Sequence, residues 1–263
     1  MRIVTFHSFK GGTGKTSLAI NTAAALAKEG KNIALVDFDF GAPSFQGYFR
    51  DPKEHYFSEF LLGDCPVESV FKEFNEEFNT SGKLLVALTS FDFLKRQSQK
   101  VAHLQEKDPT IVSRLIEAIK FLKGEADILF IDCMPGASYR ALDSLLVSDT
   151  IIAVARPQKS EALGLEELGG NVYLQLSDTA KLFLVINQIE IRGEGNDVDK
   201  KEAENAKIQL RGLSNSLGFN FPILAEIENI PFLAERLYPL TESQDHPFLQ
   251  SIEPILNEFR GLR

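Results

Sequence analysis

The chain has no tryptophan, two cysteines and two methionines in 263 residues, and no apolar run nears the length a membrane-spanning helix needs, roughly 18 residues. Cys65 and Cys133 are too few for a disulfide framework and suit a reducing compartment. The N-terminus, MRIVTFHSFKGG, offers five strand-like residues and then glycines. A secretory signal needs a longer apolar stretch, so the expected location is the cytoplasm. Positive charge is in deficit: 28 Lys and Arg against 37 Asp and Glu give a net charge of -9 and a pI near 5.1. That balance disfavours broad attraction to nucleic acid or anionic lipid and leaves a local basic patch as the route to either.

What is present is a hydrophobic fraction of 44%, enough for one large core, with 21 phenylalanines as its bulky filler. Short β-rich runs alternate with helical patterns. Strands are expected at 2–6, in "NIALVDFD", at 83–90, in "ADILFIDCMPG" (126–136) running into a turn, and at 150–157, 181–188 and 221–227, and helices in "GKTSLAINTAAALAKEG", ending at Gly30, and over 108–124. Continuous apolar strands separated by helices predict an α/β fold with a doubly wound, mainly parallel sheet covered on both faces. No linker, repeat or low-complexity tract divides the chain, so one domain over 1–263 is expected. The segments 44–82 and 189–215 read as excursions from the sheet. In such a sheet, ligands bind at the carboxyl ends of the strands.

The loop "SFKGGTGKTS" (8–17) sits at such an end. It departs from G-x-x-x-x-G-K-[ST] only at its first position, where Phe9 replaces glycine. Gly11, Gly12 and Gly14 admit an anion close to the backbone, and successive N–H groups with the following helix N-terminus supply partial positive charge. Within the loop Gly11, Gly12, Thr13, Gly14, Lys15, Thr16 and Ser17 are the candidate nucleotide contacts. Lys15 reaches the β and γ phosphates, and the Thr16 hydroxyl ligates Mg²⁺. A second lysine, Lys10, beside Lys15 needs extra negative charge, which a triphosphate supplies. "ILFIDCMPG" (128–136) buries a strand and delivers Asp132 at its end, where a carboxylate can hold Mg²⁺ through water. "VDFDFGAPS" (36–44) places Asp37 and Asp39 on one side of the second strand's end. Cys133 reads as a small packing residue, because no neighbouring base is visible.

K-G-G-x-G-K-[ST] resembles the deviant phosphate loop of the ParA/MinD family of P-loop ATPases. The resemblance is strong over 2–44, good over 126–157 and weaker over 181–240. It implies a P-loop NTPase fold of the SIMIBI type, ATP and Mg²⁺ as cofactors, and slow, partner-stimulated ATP hydrolysis. It also implies an ATP-bound homodimer in which Lys10 crosses to the partner's phosphates. By the same match Lys10, Lys15 and Asp39 are the catalytic set, with Asp39 orienting the attacking water. Thr16, Asp37 and Asp132 serve the metal, the Gly136 N–H senses a γ phosphate, and Asn187 in "LVINQ" meets the adenine edge. Glu228 stands where the family commonly has proline, with Pro231 three residues later, which puts the base-side loop in question.

The family divides by partner: nucleoid DNA, a membrane surface, or a cargo-adaptor or stimulating protein. For DNA, the candidate patch at 189–211 carries Arg192, Lys200, Lys201, Lys207 and Arg211 but also six acidic residues, the pattern of a solvated face. For a membrane, the stripe Phe248, Leu249, Ile252, Ile255, Leu256 and Phe259 within 247–260 lacks a basic flank and is broken by Pro254, so docking on the protein itself is favoured. For a protein partner, the aromatic segment 40–62 beside Asp39 is the candidate surface, against packing on the core. A nucleotide-gated switch without hydrolysis and an ATP-dependent ligase are competing classes. A metal-cluster carrier lacks its C-x-x-C, and a tyrosine kinase lacks a tyrosine-rich tail.

Overall fold

The computed structural model describes residues 1–90, 108–189, 197–229 and 246–262, with the side chains of 197–200 outside that set. Eight strands form one sheet in the order β3-β4-β2-β5-β1-β6-β7-β8. They are β1 (Arg2–His7), β2 (Ile33–Phe38), β3 (Phe71–Glu73), β4 (Leu84–Ala87), β5 (Ile128–Cys133), β6 (Thr150–Ala155), β7 (Lys181–Ile189) and β8 (Ile223–Glu228). Every pairing is parallel except β3 on β4. The three-residue edge strand β3 lies inside the 44–82 excursion, too short to carry a two-residue period in the sequence. All six residues of β2, β5 and β6 are buried, as strands sandwiched between helices must be.

The helices are α1 (Lys15–Lys28), α2 (Phe57–Leu62), α3 (Asn75–Phe78), α4 (Pro109–Leu122), α5 (Tyr139–Leu146), α6 (Lys159–Leu168), α7 (Leu174–Leu176), α8 (Asp197–Leu217) and α9 (Pro247–Arg260). Side-chain alternation along the strands divides the core. Val4, Phe6, Leu35, Phe130 and Ile152 face α1 and α9. Ala34, Val36, Leu129 and Ile131 face α2 and α4, and Ile151 and Ala153 face α6 and α8. The alanines of α1 (Ala23, Ala24, Ala25, Ala27) are buried, so this helix lies close against the sheet. α4 starts as expected: the Asp108 carboxylate accepts from the Thr110 N–H at 2.8 Å, and Pro109 occupies the first helical turn.

Three surface expectations meet the structure here. All six apolar residues of the α9 stripe are buried against the chain's own core, where Phe259 meets the Phe130 ring at 5.5 Å. In α8, Lys207 and Arg211 both pair with Glu226 of β8, at 3.4 and 2.6 Å, so they present no open basic face. Residues 190–196 (Arg192 among them), the Lys200 side chain and Pro231 lie outside the described residues. In the 40–62 segment Phe40, Phe45, Phe49, Phe57 and Phe60 are buried and stack on one another and on Phe38 and Phe74, which is core packing.

Candidate nucleotide site

Three adjacent strands deliver the site. β2 and β5 end in register with Asp37 beside Asp132, and Asp132 also lies level with Phe6 of β1. The loop from Ser8 to Gly14 leaves β1 and turns into α1. Gly14 caps α1 at φ 92°, left-handed backbone that glycine adopts without strain. A Cβ there would also stand 2.3 Å from Nδ2 of Asn187, so the position demands glycine on two counts. Phe9, the residue in place of the pattern's first glycine, lays its ring flat on Gly164 of α6; a Cβ at Gly164 would lie 2.1 Å from that ring. The ring packs with the core cluster of β6, β7 and α6, which explains why the cradle tolerates it.

The loop opens on a cleft of about 690 Å³ lined by Gly11, Gly12, Lys15, Thr16, Asp39 and Tyr48 among others. Lys15 is 5% exposed, a cation held at the cleft floor. The Thr16 hydroxyl donates to Asp132 Oδ2 at 2.5 Å. Asp132 is wholly buried, and its second oxygen, Oδ1, has no hydrogen-bond partner among the described residues; nor does the buried Thr13 hydroxyl. Buried polar atoms are nearly always paired, and these two lie together in one cradle, which suits a ligand with polar atoms of its own. Burial drives the Asp132 pKa up to about 6, against the pull of the Lys15 charge and the Thr16 hydrogen bond. A hard divalent cation matches this all-oxygen pair, Thr16 and Asp132, with the Ser44 hydroxyl 3.4 Å from that of Thr16. No group of three or more His, Cys, Asp or Glu among the described residues could hold a metal unaided, so such an ion needs phosphate oxygens as well.

Several of the expected residues make hydrogen bonds within the chain. Both oxygens of Asp37 are taken by backbone N–H groups, of Asp39 at 3.2 Å, Ser44 at 3.1 Å and Phe45 at 3.2 Å. In this arrangement Asp37 organises the 39–45 loop; burial and the neighbouring Asp132 charge hold its pKa well above the usual carboxylate range. The Gly136 N–H donates to the Ser8 carbonyl at 2.8 Å and is not presented to the cleft. Asn187 is buried and its amide donates to the Thr13 carbonyl at 2.8 Å, while neighbouring Gln188 donates to the Gly12 carbonyl at 3.0 Å. Two consecutive amides at the end of β7 thus brace the phosphate loop. Asp39, half-buried at the cleft mouth, is fixed through Oδ1 by the N–H groups of Gly41 and Ala42 at 3.0 and 2.9 Å. Lys10 is exposed, its ammonium over the Phe9 ring at 5.9 Å and without a carboxylate partner among the described residues. Burial pushes the Cys133 thiol up to about 12, and its Sγ donates to the Phe6 carbonyl, so it is inert.

Sequence reasoning missed three features of this site: the seat of Phe9 on Gly164, the guanidinium of Arg156, 4.0 Å from where a Gly12 Cβ would stand, and the buried His7. Gly164 and Arg156 lie about 150 residues along the chain from the loop, so no local pattern could have joined them to it. His7, at a strand end directly before the loop, was a visible polar signal.

The family model described as an AAA domain matches residues 1–184 of this chain. The chain belongs to the ParA/MinD family of P-loop ATPases. Among curated relatives, the sporulation initiation inhibitor protein Soj of Bacillus subtilis is 29% identical over 185 residues, covering 69% of this chain and 65% of Soj. Two Pseudomonas putida relatives, 28% identical, are spanned over 62% of their length. Among solved structures, apo McdA of Cyanothece superposes with a TM-score of 0.74 at 14% identity, covering 99% of this chain and all of that one. The septum site-determining protein MinD of Pyrococcus horikoshii, complexed with Mg-ADP, gives 0.68 at 22% identity, covering 99% and 96%. At these identities the structures establish the shared fold, an eight-stranded mainly parallel sheet of the P-loop type.

Proposed function

We propose that the protein is a Mg²⁺-dependent ATP hydrolase that cycles between a free subunit and an ATP-bound sandwich dimer and thereby positions a cellular cargo, the whole of 1–263 acting as one unit from the cytoplasm. The observation that carries this reading is the orphaned Asp132 Oδ1, buried beside Thr16 and Lys15 at the head of a glycine loop. Lys15 neutralises the β and γ phosphates, and the Thr13 hydroxyl meets a phosphate oxygen. Mg²⁺, held by Thr16 and by Asp132 directly or through water, offsets charge on the phosphates when bound. Asp39 orients water at the mouth of the cleft: its Oδ1 is fixed by the loop, and Oδ2 is left to accept. Lys10 stands exposed, where a second subunit's triphosphate supplies the anion it lacks in its own chain.

The cargo class follows from relatives whose names concern sporulation initiation, septum siting and chromosome partitioning. The paired cations of α8 and the buried stripe of α9 both argue for an adaptor or stimulating protein, rather than DNA or lipid, as the first partner. Nucleotide binding and phosphate release by the protein and by Lys15→Ala test the reading. Loss of binding in the variant and slow turnover in the parent, accelerated by a partner, are expected; a parent that binds no Mg-ATP overturns it.

A further inference from the structure

We propose that His7 is a positioning residue that, together with its neighbour Ser8, latches the 134–138 turn through the two polar groups of Gly136 and ties that turn to Tyr173, so that a triphosphate must open the latch to gain the Gly136 N–H. The nucleotide clause rests on the function proposed above; the latch itself does not.

His7 ends β1 and is wholly buried. Its Nε2 lies 2.8 Å from the Gly136 carbonyl, which can only accept, so Nε2 carries the proton. Burial lowers the His7 pKa to about 4, so the ring is neutral at physiological pH and Nδ1 is an acceptor. The Tyr173 hydroxyl, 2.5 Å away, therefore donates to it. The adjacent residue of the same strand end, Ser8, accepts the Gly136 N–H through its carbonyl at 2.8 Å. Two consecutive residues thus grip one glycine from both sides, at φ 73°, where a side chain would strain the turn. An incoming γ phosphate competes directly with the Ser8 carbonyl for that N–H.

The far end of the latch is also a special element. Tyr173 closes a π-helical turn, Gly169–Tyr173, between α6 and α7, and such turns gather at functional sites. The same helix bears Gly164, the seat of Phe9, so the junction of β1 with the phosphate loop grips this helix at two points, His7 and Phe9. Any withdrawal of Gly136 from His7 is felt at the π turn, and the reverse.

Amide exchange read on peptides spanning 134–138 and 169–173 tests this in the full chain. Without nucleotide, Tyr173→Phe keeps the ring and deletes the donor; exchange at Gly136 should rise about tenfold while β1 and β6 amides stay within about twofold. His7→Gln, which retains a donor and an acceptor, should hold Gly136 near the parent rate, and His7→Leu, similar in bulk, should release it. If Tyr173→Phe fails to fold, the Gln and Leu pair carries the comparison. Adding Mg²⁺ and a non-hydrolysable ATP analogue should change protection at 134–138 and 169–173 together in the parent, and only at 134–138 in Tyr173→Phe. Unchanged Gly136 exchange in both Tyr173→Phe and His7→Leu overturns the latch. A parent that binds no Mg-nucleotide overturns the functional reading instead and leaves the nucleotide-free comparison decisive.

Discussion

Replacing Asp132 with Asn should make the nucleotide-free, metal-free protein more stable. The carboxyl is wholly buried, accepts a single hydrogen bond from Thr16, and leaves Oδ1 unpaired among the described residues. Its folded pKa, about 6, lies above the 3.8 of an ordinary aspartate, a value already net of the favourable Lys15 charge. At 1.36 kcal/mol per pH unit, ionising it in the fold costs about 3 kcal/mol. A raised carboxyl pKa means the folded state holds its proton more tightly than the unfolded state. This contribution to stability is therefore present below pH 3.8, is lost as pH climbs toward 6, and stays lost above. The neutral amide keeps an acceptor for Thr16 and escapes the cost. Urea denaturation in EDTA at pH 7.5 should show Asp132→Asn ahead by about 3 kcal/mol, roughly 6–12 °C in Tm for a chain of this size. The advantage should shrink to nothing near pH 4. With saturating Mg-ATP the order should reverse, because only the parent gains the ligand's linkage stabilisation in full. A variant less stable than the parent at pH 7.5 without ligand, or a difference that ignores pH, would refute the argument that this carboxylate is held at a cost for a cation.

Gly164→Ala should destabilise the fold by about 1–2 kcal/mol, the clash with Phe9 outweighing the gain in helix propensity. In a Phe9→Ala background the same change should turn neutral or stabilising, and denaturation of the double-mutant cycle reads the sign. Asp39→Ala should bind Mg-ATP and accumulate as the ATP-loaded dimer, with phosphate release reduced at least a hundredfold under partner stimulation; a monomer by light scattering in saturating ATP would sink the role given to Asp39.

Much of this architecture was legible because it is written in local patterns. The buried strands β2, β5 and β6 are mostly apolar runs, and the loop from Lys10 to Ser17 announces an anion cradle by its glycines and Thr16 alone. Asp132 was visible as a carboxylate near the end of an otherwise apolar strand. What stayed hidden depends on partners far apart in the chain. That Asp37 spends both oxygens on its own loop follows from the turn geometry of 39–45, which sequence does not specify. That Asn187 faces the Thr13 carbonyl, and that Gly136 gives its N–H to Ser8, are tertiary hydrogen bonds across 174 and 128 residues. The α9 stripe illustrates a second limit: an amphipathic helix has the same pattern whether it covers lipid or its own sheet, and only the contact with Phe130 and its neighbours decides.

In the proposed cycle Lys10, exposed and without a carboxylate partner among the described residues, completes the site of a second copy. Multi-angle light scattering with Mg²⁺ and a non-hydrolysable ATP analogue measures this most directly, with the parent beside Lys10→Ala. The parent should double from the 29.3 kDa of one chain, while Lys10→Ala should bind the analogue yet remain at the mass of one chain. A parent that stays single when saturated with the analogue, or a Lys10→Ala variant that dimerises as well as the parent, would contradict it.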